Sequence, residues 1–190
     1  MPKYKSDVQE RVLESMLKSR FIQLHGGITT SDLTYFETVF NHYKAGPNAK
    51  QKVTVSMNTP GGSVYDALAL YDLIKTYRKS FPIHIHVAGL CMSAGVVILQ
   101  AGSKRTAAPH STFLVHEVAS NNVGYQTVTQ QAGELKESMR LQKLMNEIIK
   151  EHSLLNFTKL RRTRGPIDHY YTASQALELK LIDEITVLEG

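Results

Sequence analysis

Short β-branched runs alternate with segments of helical apolar spacing through the first two-thirds of this chain, and no other feature limits its fold as tightly. Val8, Val12, Met16 and Leu17 recur at helical intervals, and Phe21-Ile22-Gln23-Leu24 reads as a strand ending at Gly26-Gly27. Thr30 or Ser31 can cap a helix through Leu33, Phe36, Val39 and Phe40, which Ala45-Gly46-Pro47 stops. Val53–Met57 is a second strand, Asn58-Thr59-Pro60-Gly61-Gly62 a turn, and a helix follows from Ser63. Pro82 opens a third strand, Ile83–Ala88; a short apolar helix fits 93–101 and a further strand fits 112–116. This alternation predicts α/β architecture with largely parallel strands.

After Gly124 the pattern changes to one long helix reaching residue 152. A short basic helix (Phe157–Arg164), a helix over Ala173–Leu179 and a strand at Ile185–Leu188 complete the chain. No linker rich in Gly, Pro or Ser divides it and no segment repeats. Residues 1–190 are therefore expected to form one domain, with a helical segment over 1–20 and a projecting arm over 119–152.

Composition narrows the function classes. A single cysteine, Cys91, excludes an intrachain disulfide framework and a Cys-rich zinc site. No run of roughly 18 apolar residues predicts a membrane span, and the charged N-terminus lacks the apolar core of a secretory signal. The expectation is a cytoplasmic protein with no membrane partner. The net charge of +5 is only mildly basic, and the run Arg161-Arg162-Thr163-Arg164 has no interleaved aromatics. It reads as a solvated or interface face, with no nucleic-acid partner expected.

Two strand-to-helix junctions can carry chemistry. At Asn58-Thr59-Pro60-Gly61-Gly62-Ser63 two glycines let the backbone approach a ligand and aim N–H groups outward; the plainer reading is a tight turn. No Gly-Lys-Ser/Thr follows, so it is not a nucleotide-binding P-loop. At Gly89-Leu90-Cys91-Met92-Ser93-Ala94-Gly95 a serine stands at the start of an apolar helix, where developing negative charge is favoured. Its plainer reading is a helix N-cap, and Cys91 occupies the place where a Gly-x-Ser-x-Gly elbow needs glycine. Cys91 itself reads as a small buried hydrophobe.

A serine nucleophile needs a base and the base an orienting acid. Among eight histidines, His116 ends an apolar strand, His169 lies beside Asp168, and His84 and His86 share a strand face with no third metal ligand in evidence. Lys104 is the lysine nearest Ser93 after it, without a motif to support a Ser-Lys pair. Spacing alone does not choose among these groups.

Taken together, the segments resemble the Clp protease proteolytic subunit (ClpP) family of serine peptidases, as a divergent member. Val55–Ser63 is similar to that family's Asn-Ser-Pro-Gly-Gly segment, and Tyr71-Asp72 falls where its next helix has Tyr-Asp. Gly89–Gly95, followed by Leu99-Gln100-Ala101-Gly102, resembles its Gly-x-Ala-Ala-Ser-Met-Gly nucleophile segment. Phe113-Leu114-Val115-His116 is similar to the strand ending in its catalytic histidine. Asp168-His169-Tyr170-Tyr171-Thr172-Ala173 resembles its Asp-Arg-Phe-x-Ser-Ala, and Leu181–Ile185 its closing Leu-Val-Asp-x-Ile. The match runs collinearly over residues 12–188.

The resemblance implies a ClpP/crotonase-like βαβ superhelix with a projecting helical handle over 119–152. It implies Ser93 as nucleophile, His116 as general base and Asp168 as orienting acid. Backbone N–H groups of Gly62 and Ala94 would form the oxyanion hole, and Gly61, Gly62 and Ser63 would pair with extended substrate. Neither cofactor nor metal is implied. Unfolded proteins or peptides would be cut, without ATP, inside a chamber of heptameric rings, single or stacked, which an AAA+ unfoldase feeds. The sequence departs from the pattern at four places. The axial-hairpin segment before the first helix is largely missing, and Glu117-Val118 replace Gln-Pro. The handle strand is shortened to Ala119–Val123, and Ile167 stands where many members place the arginine that helps rings lock together. Two alternatives remain: a non-catalytic ring subunit, and a crotonase-type acyl-CoA enzyme, whose chemistry usually relies on acidic residues.

Overall fold

The computed structural model describes residues 3–119, 124–158, 160 and 168–186. Helix α1 (Lys3–Ser19) leads into β1 (Phe21–His25), α2 (Thr30–Ala45), β2 (Val53–Thr59), α3 (Val64–Tyr77) and β3 (Ile83–Met92). Then come α4 (Ala94–Leu99), β4 (Lys104–Ala107), β5 (Thr112–Val115), α5 (Val128–His152), β6 (His169–Thr172), α6 (Ala173–Glu178) and β7 (Glu184–Ile185). Strands β1-β2-β3-β4-β7 are neighbours in that order and all parallel. Strand β5 pairs parallel with the far end of β3, and β6 pairs antiparallel with β5. This mixed α/β arrangement around a mostly parallel sheet agrees with the ClpP/crotonase-like fold that the resemblance implies. No helix among the described residues is long and apolar enough to cross a membrane.

Alternation along the strands explains the layering. Ile22, Leu24, Val53, Val55, Met57, Ile83, Ile85 and Val87 are buried on one sheet face with the phenylalanines of α2, Phe36 and Phe40. The other face carries a polar row in register, Gln23↔Ser56↔His86↔Thr106. All six residues of α4 are buried, so this short apolar helix runs through the core. Helix α5 buries only Leu141, Met145 and Ile149, at one-turn spacing in its C-terminal half. Val128, Leu135 and Met139 of its N-terminal half are exposed.

Several boundaries differ from the sequence reading. The cap of α2 is Thr29, whose N–H donates to Asp32 Oδ2 at 2.8 Å, one residue earlier than predicted. Strand β3 does not stop at Ala88 but continues to Met92. It pairs with β4 over 84–87 and with β5 over 90–92. Between these stretches it bulges, for Met57 and Thr59 of β2 pair with Val87 and Cys91. Asn58 fills the bulge, accepting the Leu90 N–H on Oδ1 at 2.9 Å. Gly89 permits that approach, because a Cβ there would lie 2.8 Å from the same oxygen. Strands β4 and β6 were not anticipated, since four-residue segments such as Lys-Arg-Thr-Ala carry no alternation of their own. Most of the predicted basic helix, the predicted handle strand beyond Ala119, Ile167 and the end of the last strand lie outside the described residues.

Candidate active site

The Gly-Gly turn is held from several sides. Thr59 Oγ1 donates to Gly26 O at 2.6 Å and accepts the Gly61 N–H at 3.1 Å. Gly61 O accepts from Ile28 N at 2.9 Å, and Ser63 N donates to Ile28 O at 3.1 Å. In this parallel bridge Ile28 uses the groups on either side of Gly62, so the Gly62 N–H and C=O turn away from it. Both glycines are required. Gly61 (φ +100°) and Gly62 (φ +154°) adopt backbone conformations that disfavour side chains. A Cβ on Gly62 would lie 2.5 Å from Ile28 N. Ser63 then caps α3 by accepting the Asp66 N–H at 3.3 Å.

Ser93 sits between the end of β3 and α4 with φ 55° and ψ −126°, a conformation costing on the order of 1–3 kcal/mol for a residue with a Cβ. Its N–H donates to Leu114 O at 2.8 Å and its C=O accepts from Val96 N at 3.0 Å, so neighbouring elements hold the strained residue in place. Its hydroxyl makes no capping hydrogen bond, which sets aside the plain N-cap reading. A Cβ built on Gly61 would stand 2.7 Å from Ser93 Cβ and 3.3 Å from Ser93 Oγ, so the two junctions face each other at contact distance. Gly95 extends the same packing, since a Cβ there would lie 2.7 Å from Thr59 Cγ2. The Ala94 N–H opens α4 and has no intrahelical acceptor.

Strand register brings the other two candidates to this point. Met92 of β3 pairs with Leu114 of β5, and Leu114 with Tyr170 of β6. The last antiparallel pair is Val115↔His169, so His116 follows β5 and Asp168 precedes β6 at the same end of the sheet. Ser93, His116 and Asp168 thus emerge at adjacent strand ends, in the order β3, β5, β6. Neighbouring strands are about 4.8 Å apart, which is side-chain reach. His116 is half-buried and Asp168 exposed. The three side chains are not hydrogen-bonded to one another in this conformation.

The other candidates disperse. Cys91 is fully buried and its thiol pKa is pushed far up by desolvation, the opposite of a reactive thiolate. Lys104 pairs in register with His84, on the order of 25 Å back along β3 from Ser93, and its ammonium meets Glu184 at 2.6 Å. His86 is buried against Thr106 Oγ1 at 2.8 Å, and burial lowers its pKa. His169 is buried in β6, and His25 meets Ser56 Oγ at 3.3 Å. No group of three or more His, Cys, Asp or Glu side chains that could hold a metal gathers among the described residues.

Two contacts near the site had no sequence signal. The Tyr65 hydroxyl donates to Glu137 Oε1 at 2.8 Å, across 72 residues. The Val118 N–H donates to Gln142 Oε1 at 2.6 Å. Glu137 also forms an i,i+3 ion pair with Arg140 along α5. Compared with known families, the chain matches the family model described as Clp protease over residues 4–189.

Proposed function

The chain belongs to the Clp protease family, a family of peptidases, and from that premise we propose that it hydrolyses peptide bonds with Ser93 as nucleophile, His116 as general base and Asp168 as orienting acid. The observation that supports this reading is the β3–β5–β6 pairing, whose last pairs, Met92↔Leu114 and Val115↔His169, adjoin Ser93, His116 and Asp168 in the chain. His116 takes the Ser93 hydroxyl proton as Oγ attacks the scissile carbonyl, and Asp168 stabilises the resulting imidazolium. The Gly62 and Ala94 N–H groups receive the oxyanion; the loss of one such donor typically costs about 10²–10³-fold in rate. His116 then returns the proton to the leaving amine, and water repeats the sequence on the acyl-enzyme.

Substrate backbone pairs with a narrower strip than Gly61–Ser63. Gly61 N and O and Ser63 N already have partners within the chain, while both polar groups of Gly62 face outward. With its N–H given to the oxyanion, Gly62 offers its C=O to extended substrate, a contact that reads little side-chain identity. The single domain assembles through the projecting half of α5 into a heptameric chamber that admits unfolded chains, fed by an unfoldase. Exposed Val128, Leu135 and Met139 on that arm support an assembly role.

Intact-mass analysis after fluorophosphonate treatment, with peptide mapping and particle sizing, tests the reading. One adduct on Ser93, absent from Ser93→Ala, is the expected result. A ring-sized particle that takes no label would instead identify a non-catalytic subunit.

A further inference from the structure

Helix α5 is tied to the chain on both sides of the cleft. On the oxyanion side, Tyr65 follows Gly62 by three residues and its hydroxyl donates to Glu137 Oε1 at 2.8 Å. Arg140 holds the same carboxylate through Nε at 2.8 Å and Nη2 at 2.7 Å. The Glu137 pKa is accordingly held down to about 2, first by Arg140 and then by Tyr65, so the acceptor stays ionised at neutral pH. On the imidazole side, Val118 follows His116 by two residues and its N–H donates to Gln142 Oε1 at 2.6 Å. Gln142 Nε2 donates to Asn146 Oδ1 at 2.8 Å, which fixes the amide with its oxygen toward Val118. Glu137 and Gln142 are five residues apart, roughly 7.5 Å along the helix and about 140° around it. The two ties therefore leave α5 on different sides.

We propose that Tyr65 and Gln142 are positioning residues that fasten α5 to the two walls of the cleft, Gly62 on one side and His116 on the other, and so set the distance between oxyanion hole and base. This rests on the catalytic reading of Ser93 and His116. Neither side chain touches the reacting atoms. Tyr65 acts through the turn it extends, and Gln142 through the two-residue link to His116.

The test uses the full chain in its assembled form. Fluorophosphonate labelling rates at Ser93 are measured for the wild type, Tyr65→Phe, Gln142→Met and Gln142→Glu, with amide hydrogen exchange at Val118. Tyr65→Phe and Gln142→Met are each expected to slow labelling by about 3- to 10-fold, the scale of one hydrogen bond. Gln142→Met should speed Val118 exchange, and Gln142→Glu, whose carboxylate still accepts that N–H, should restore both rate and protection. Methionine fills nearly the same space as glutamine without offering the acceptor, so a role in packing alone would leave Gln142→Met close to the wild type. Rapid Val118 exchange in the wild type, or unchanged labelling in both variants, overturns the inference alone. A protected Val118 amide with no labelling of Ser93 in any form overturns the catalytic reading, and the positioning role with it.

Discussion

Gly61→Ala is the sharpest probe of the site, because its consequence follows from three distances. The new Cβ would meet Ser93 Cβ at 2.7 Å, Met92 O at 2.9 Å and Ser93 Oγ at 3.3 Å. Carbon atoms rest at roughly 3.5–4.0 Å, so the serine or the turn must retreat by about 1 Å. A displacement of that size at reacting atoms costs on the order of 10²-fold in rate. The substitution also places a side chain at φ +100°, with strain of about 1–3 kcal/mol. For a chain of this length that strain lowers Tm by roughly 2–4 °C per kcal/mol. Gly26→Ala separates the two effects: Gly26 has φ +87°, yet nothing lies within 4 Å of a Cβ there. Both variants should therefore melt earlier, Gly61→Ala by more because the clash adds to the strain. Only Gly61→Ala should slow fluorophosphonate labelling of Ser93, by about 100-fold, while Gly26→Ala stays within about 2-fold of the wild type. Equal labelling of the two variants would refute the argument that Gly61 abuts the nucleophile.

Asp168→Asn should lower peptide hydrolysis by up to about 10⁴-fold with particle size unchanged, read by steady-state kinetics beside light scattering. Stability should fall on acidification near pH 6.5, the ordinary histidine value, because burial lowers the pKa values of His84, His86 and His152. The unfolded chain then binds protons that the folded one does not, so their contribution is complete above 6.5 and is lost as pH falls toward the folded values. Urea midpoints across pH 8 to 5 measure this, and His86→Gln should flatten the slope. Gly133→Ala, in open space on α5, should raise stability by about 0.5–1 kcal/mol, read from thermal melts.

The features legible in the sequence are those set by a few neighbouring residues. Strand-helix alternation, the Gly61-Gly62 turn, Ser93 at a helix start and His116 at a strand end all depend on local spacing, and the structure places them within a residue or so. What could not be read depends on pairing. Asp168 and His116 come to the same end of the sheet because β6 runs antiparallel to β5, a register that the separate segments do not specify. Strand β4 forms because β3 and β7 flank it, not because Lys-Arg-Thr-Ala favours a strand. Tyr65 and Glu137 meet only after α5 has docked, so neither residue carries a local mark of the contact.

The extension of β3 past Ala88 is the longest departure from local reading, and it explains where the site lies. Strands β4 and β5 run along the same side of β3, separated by residues 108–111. Ala108 N–H donates to Val87 O at 2.9 Å and Ser111 Oγ donates to the same oxygen at 2.8 Å, so this break is tied to β3 where β3 bulges. Asn58 fills the bulge from the β2 side. A continuous β3 with one partner would have carried its last residues on in the register of β2. The paired interruptions let Leu90–Met92 pair with β5 while Cys91 still pairs with Thr59 of β2, and β5 in turn recruits β6. Ser93 is thereby brought against Gly61 from one direction and beside the His116–Asp168 pair from the other. Chain order alone separates these residues by more than 100 positions, and the bulge is the local event that lets one strand end serve both groups.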